Sequence, residues 1–230
     1  MRLTLRALAA LLAYPSAELQ AHIADIRDAL SEGALPRAAR RRLDPLLETL
    51  EASDLLDAQA EYSELFDRSR SLSLHLFEHV HGDSRERGQA MVDLNQQYVD
   101  RGFLLDSPEL PDFVPIFVEF ASCLEPAEAR EMLGEPAHVF AAIEERLAKR
   151  GSAYAAVFGA LIQLSGVKPD REALAELEAR APNDDPAKID EEWEEKAVTF
   201  NASHEMGGPT GIVAKLRAAG KAMAAARRPR

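Results

Sequence analysis

The sequence predicts an all-α protein, a single-domain helical bundle that ends in a C-terminal tail. Three observations carry this. Apolar residues recur at helical spacing through most of the first 180 residues. Proline and glycine punctuate those stretches where helices begin and end. No sustained apolar/polar alternation occurs, and no Asn-Gly or Asp-Gly pair marks a hairpin.

The elements follow in order. Met1 to Ala13 reads as a first amphipathic helix and not as a signal peptide: Arg6 interrupts the apolar run, and Tyr14-Pro15 stands where a small-residue cleavage site would be. Leu19, Ile23, Ile26 and Leu30 share one helix face, with Gly33 as a stop and Pro36 as the next start. Leu43, Leu46, Leu47 and Leu50 repeat the pattern. Ser53 or Asp54 can cap a helix carrying Leu55, Leu56, Tyr62, Leu65 and Phe66. Met91, Leu94 and Tyr98 lie on one face of another, closed by Gly102.

Pro111 is expected to open a helix with Val114, Phe117, Ala121 and Leu124 inward, and Pro115 is near enough to its start to be tolerated. Pro136 opens the next, carrying Val139, Phe140, Ile143 and Leu147, with Gly151 behind it. A further helix carries Tyr154, Val157, Phe158, Leu161 and Ile162 and ends near Gly166 and Pro169. The short connections favour neighbours packed as a bundle. No internal repeat is evident.

Residues 1–180 therefore form the helical domain, and residues 181–230 a tail expected to be mobile or loosely docked. The tail begins with the linker-like Ala181 to Pro186 and continues with the acidic run Asp190 to Glu195 around the single Trp193. It breaks at Gly207-Gly208-Pro209 and ends in an alanine-rich basic stretch from Ile212 to Arg230. That basic end could fold back on acidic segments or serve only as a solubilising tail.

Bulk properties exclude several function classes. The 230 residues carry a net charge of −12, which disfavours nucleic acid and steady binding to anionic lipid. The single cysteine, Cys123, rules out an intrachain disulfide. Placed among Phe117, Phe120 and Leu124, it reads as a buried apolar thiol. No apolar run approaches the ~20 residues of a membrane span, so a cytoplasmic, soluble protein without stable membrane association is expected. No P-loop, G-x-S-x-G elbow or G-x-G-x-x-G is present, and no carboxylate pair stands out as acid and base. No catalytic residue and no cofactor of its own is expected.

One stretch does not read as ordinary helix surface. From Ser73 to Leu94 it runs SLHLFEHVHGDSRERGQAMVDL, and three of the six histidines, His75, His79 and His81, fall in it. A helix ending near His81, a turn at Gly82 and a new helix capped by Asp83 or Ser84 is the expectation. Arg85 and Arg87 would then sit beside a helix N-terminus and form an anion-attracting corner, or be two solvated arginines beside a cap. His75 and His79 are four apart and share a face, and Glu78 or His81 could complete a metal site. H-E-x-x-H is absent, however, which favours hydrogen bonding and a peptide-facing surface for the three rings, with no metal.

This string, with Gln89 inside it, resembles the signature of the NarJ family, the nitrate reductase delta subunits or molybdenum cofactor assembly chaperones. Glu109-Leu110-Pro111-Asp112 resembles the family's ELPD segment, and Trp193-Glu194-Glu195 with Val198-Thr199-Phe200 its C-terminal region. The family is similar to the wider TorD/DmsD group of redox-enzyme maturation chaperones. Tyr62-Ser63-Glu64-Leu65-Phe66 matches that group's aromatic-x-x-Leu-Phe motif, whereas Phe113 stands where the group often has histidine.

The resemblance implies a TorD-like helical fold and a chaperone for respiratory nitrate reductase. It implies that the N-terminal segment of the catalytic alpha subunit is bound and held in the cytoplasm while molybdenum cofactor is inserted, with the cofactor insertion machinery as a further partner. The client contacts it implies are Tyr62, Leu65, Phe66, His75, His79, His81, Gly82, Asp83, Arg85, Arg87, Gln89, Glu109, Pro111 and Asp112. A histidine-rich groove also implies binding that responds to pH near neutrality. The other reading is a metal- or cofactor-handling protein that uses His75, His79 and His81 or the Asp83–Arg87 corner directly.

Overall fold

A computed structural model describes residues 1–81, 85–106 and 108–179. Among the described residues there are twelve α-helices, one 3-10 turn and no strand. The tail expected over 181–230 lies outside the described residues.

Helix α1 (Arg2–Leu12) is more deeply buried than an amphipathic surface helix would be. Leu5, Leu8, Leu11 and Leu12 are inside, and so are Thr4, Ala7 and Ala9. A helix apolar on most sides belongs in the centre. It packs against α8 (Val114–Cys123), and both touch the body of the bundle. Helix α11 (Ala155–Ser165), also buried nearly all round, lies against α1, α4 (Arg37–Ala52), α9 (Pro126–Gly134) and α10 (Ala137–Lys149). Aromatic pairs knit the core, with Phe140 near both Phe117 and Phe158.

The periodic stretch from Leu19 to Leu30 is two helices, not one: α2 (Ala17–Ala21), capped by Ser16, and α3 (Ile23–Ser31). His22 sits between them at φ −106°, ψ 14°, and its Nδ1 bonds the Glu18 carbonyl at 2.8 Å. Asp54 caps α5 (Leu55–Phe66) by accepting from the Leu56 N–H at 2.9 Å. The faces built from Leu43, Leu46, Leu47 and Leu50 on α4, and from Val139, Phe140, Ile143 and Leu147 on α10, are buried as expected.

The structure differs from the sequence expectation in further places. Pro111 does not open a helix: residues 110–113 form a turn, and α8 begins at Val114 with Pro115 in its first turn, where no N–H is needed. Helix α9, which starts at Pro126, is an element of its own, as is α12 (Arg171–Ala179). Leu56, one of the apolar residues expected on the helix after Asp54, is 73 % exposed. Cys123 is exposed rather than buried. It lies four residues after the exposed Glu119, on the outer face of α8, while Ala121 and Ser122 turn inward.

Candidate functional site

The site grows from a turn that is held on two sides. After α5 the chain makes a 3-10 turn (Arg70–Leu72) and enters α6 (Leu76–His81). Ser69, Ser71 and Ser73 are buried there, so their polar groups need partners. Arg146 of α10 and Arg150, which follows its last residue, supply two. Arg146 Nη1 donates to the Ser71 carbonyl at 2.8 Å, and Arg150 Nη2 to Ser69 Oγ at 2.7 Å. Arg146 also reaches the Leu177 carbonyl of α12 at 3.1 Å.

On the other side, the 109–113 loop is stitched to the start of α6. His75 and Phe113 form an isolated antiparallel bridge, and Val114 N–H donates to the Leu74 carbonyl at 2.8 Å. Asp112, 0 % exposed, is the centre of the stitch. Its carbonyl accepts the Leu76 N–H at 3.1 Å, and its Oδ2 accepts the Phe77 N–H at 3.0 Å. Asp112 thus caps α6 from a distant part of the chain, satisfying N–H groups that α6 has no local residue to satisfy. Its Oδ1 lies 3.2 Å from His75 Nδ1. Tyr98 of α7 (Arg85–Asp100) donates its hydroxyl to the Pro111 carbonyl at 2.8 Å, which ties the loop to a third helix.

The histidines are set apart electrostatically. His75 is held above its ordinary value by the Asp112 hydrogen bond, which outweighs the opposing effect of burial. His79 is held below its ordinary value, first by burial and also by the nearby Arg146 charge. Its Nε2 lies 2.8 Å from the Ser73 carbonyl, which can only accept, so Nε2 carries the proton. The His81 ring stands edge-on to Phe77 at 5.6 Å.

Beside this clamp lies a groove of about 390 Å³. Leu76, Phe77 and Val80 of α6 form one wall, Ala90 and Leu94 of α7 another, and Phe117, Met132 and Pro136 the base. Asp93, Gln97, Glu135 and His138 stand around it. An adjoining cleft of about 370 Å³ shares Gln97, Met132 and Glu135 and adds Asp100, Glu128 and Glu131. Of the acids there, Glu128 is paired with Arg101 at 2.9 Å. Sharing three lining residues, the two depressions adjoin in a channel that is mainly apolar beside α6 and mixed beside α9, where acids line it; its apolar part suits one face of an amphipathic helix.

The residues singled out in the sequence are distributed as follows. His75, His79, Pro111 and Asp112 come together in the clamp. Glu109 bears electrostatically on both Tyr62 and His75, so the three segments are neighbours. Tyr62, Leu65 and Phe66 are buried core residues, and Tyr62 donates its hydroxyl to the Leu12 carbonyl at 2.8 Å. Its ring packs on Tyr14, Phe66 and Tyr154. Arg87 reaches back to Glu78 at 3.1 Å, linking α7 to α6, and Gln89 bonds Asp93 at 2.7 Å on the groove margin. Gly82, Asp83 and the Arg85 side chain, with the cap and anion corner expected of them, lie outside the described residues.

Sequence reading missed part of the groove's base. Met132 and Pro136 belong to α9 and the start of α10, and the signal was present: Pro126 as a start, then Ala129, Met132 and Leu133 at helical spacing. Among the described residues no three His, Cys, Asp or Glu side chains gather as metal ligands. No helix among them is long and apolar enough to cross a membrane.

Known proteins resemble this chain closely. The nitrate reductase delta subunit family matches residues 16–160. The nitrate reductase molybdenum cofactor assembly chaperone NarJ of Escherichia coli K12 is 43% identical over 212 residues, covering 91% of this chain and 90% of that protein. A NarJ of Bacillus subtilis, with the same role assigned as probable by its name, is 32% identical over 70% of this chain and 87% of its own length. In fold, a solved structure from Archaeoglobus fulgidus assigned to redox enzyme maturation aligns with a TM-score of 0.55 at 19% identity, over 73% of this chain and 94% of that one. Both of these NarJ proteins are named for assembly. Matched through most of its length by both the family and its members, the chain belongs to the nitrate reductase delta subunit family.

Proposed function

We propose that this protein is an assembly chaperone for nitrate reductase, acting while molybdenum cofactor enters the enzyme. The observation that carries the proposal is the 43% identity to the Escherichia coli chaperone across 91% of this chain. The finer proposal concerns what it grips: the N-terminal segment of the alpha subunit, docked as an amphipathic helix and kept in the cytoplasm until cofactor insertion is complete.

The α6–α9 channel supports this reading. Phe77, Val80, Leu94 and Met132 offer apolar anchor points, and Asp93, Glu131 and Glu135 along the margin favour basic residues on the opposite face of the helix. His75, His79, His81 and the Glu109–Asp112 loop set the position of α6 and so the width of the channel. Tyr62, Leu65 and Phe66 act from beneath, since α5 packs on the 3-10 turn that leads into α6. Arg87 and Gln89 steady the α7 side.

Calorimetric titration with the first ~15 residues of the alpha subunit, about four helical turns, tests the finer proposal. Saturable one-to-one binding is expected, reduced at least tenfold in Val80→Glu. Val80 is 44 % exposed, so the change alters the channel and leaves the core intact. Equal binding by this variant would place the client elsewhere.

A further inference from the structure

A second depression, of about 370 Å³, lies between α3 and α4, apart from the channel. Leu30 and Leu47, both buried, form its base, and four arginines stand around it: Arg27, Arg37, Arg40 and Arg41. Such a concentration of cations runs against a chain of net charge −12.

The arginines are not equivalent. Arg27 is occupied by Glu51 at 3.2 Å and Asp44 at 3.7 Å, which also accounts for one of the two carboxylates in the lining. Arg40 donates to the Ser31 carbonyl at the end of α3, which fixes its guanidinium, and its Nε is buried with no hydrogen-bond partner among the described residues. Arg37 and Arg41 are exposed and make no hydrogen bond or ion pair among the described residues. Beside them α4 begins without a side-chain cap and without an acid in its first turn. The N–H groups at the start of this 16-residue helix therefore add positive potential next to the two arginines. Like charges held together with so little compensation repel one another, and an anion seated between them relieves that repulsion.

We propose that this depression is a binding site for a small phosphate-bearing ligand of pyrophosphate size. Arg37 and Arg41 are the forked donors and Arg40 is a fixed wall. The planar guanidinium matches phosphate oxygens two at a time, and two such groups favour a multiply charged anion over a single carboxylate. Asp28, the lining acid with no cation on it among the described residues, repels every anion and so makes high ligand charge a requirement.

The test is calorimetric titration of the full-length protein with inorganic pyrophosphate at low ionic strength. One saturable site is expected, weakened at least tenfold in Arg37→Gln/Arg41→Gln. It should be unchanged in Arg130→Gln/Arg171→Gln, which removes the same net charge from exposed positions on α9 and α12. Acetate at matched ionic strength should not compete. The absence of saturable heat, equal weakening by both double variants, or competition by acetate would each overturn the proposal. Client-peptide binding should be the same in all three proteins, which keeps this site distinct from the channel.

Discussion

At the scale of single residues, Asp112 joins the 109–113 loop to the start of α6 through three contacts. From a fully buried position it accepts from the Phe77 N–H and pairs with His75, while its carbonyl holds the Leu76 N–H. Asp112→Asn keeps the size but weakens both side-chain contacts. It is expected to destabilise the fold by about 2–4 kcal/mol, since a charge-assisted bond and a remote helix cap are impaired together. Chemical denaturation checks this, and an unchanged midpoint would contradict it. The two clamp histidines titrate in opposite senses. His75, raised by Asp112, adds stability that is complete below the ordinary histidine value near 6.5 and fades as pH rises through its higher folded value. His79, lowered by burial, adds stability that is complete above that ordinary value and fades as pH falls toward its lower folded value. In melting curves across pH, His75→Gln should flatten the slope above the ordinary value and His79→Gln the slope below it. A single common effect of the two changes would show that the clamp does not separate them.

At the scale of elements, short segments depend on what holds them. The 3-10 turn and α12 share one anchor, because Arg146 donates to the Ser71 carbonyl and to the Leu177 carbonyl. Arg146→Ala should cost about 2–4 kcal/mol, as two charged hydrogen bonds to backbone are lost. Hydrogen exchange should quicken in both the turn and α12; exchange faster in only one would mean that the coupling is absent. Gly166 ends α11 at φ +72°, so Gly166→Ala should cost about 1 kcal/mol in thermal stability.

Much of this level was legible in the sequence. The inward faces of α4, α5, α10 and α11 were marked by periodic leucines and aromatics, because burial of one face imposes that period. The break at His22 was not, since the apolar period runs straight through it and a side-chain bond to the Glu18 carbonyl accompanies the break. Nor was the start of α8, where Pro111 looks like an N1 residue but Asp112 is taken up by tertiary bonds to α6. Among candidate contacts, His75 and His79 stood out by residue type, and Asp112 only through the family resemblance. For Tyr62, Leu65 and Phe66 the spacing favoured the core, where they lie, and the family resemblance added a binding role, because an aromatic pattern at helical spacing serves a core or a groove alike.

At the scale of the whole molecule, charge and shape point the same way. The chain is acidic, the channel is mainly apolar beside α6 with acids along it toward α9, and family membership connects the protein to nitrate reductase. An acidic binder attracts a basic segment over a distance and holds it by apolar contact, a combination that allows fast capture and later release. The measurement that bears most directly on this is the molybdenum content of nitrate reductase purified from cells in which this chain is the sole assembly chaperone. With the native chain the alpha subunit should carry near-stoichiometric molybdenum. With Val80→Glu, folded and present at equal level, the content should fall at least several-fold. Full molybdenum loading with that variant, or with no chaperone at all, would contradict a chaperone that works through this channel.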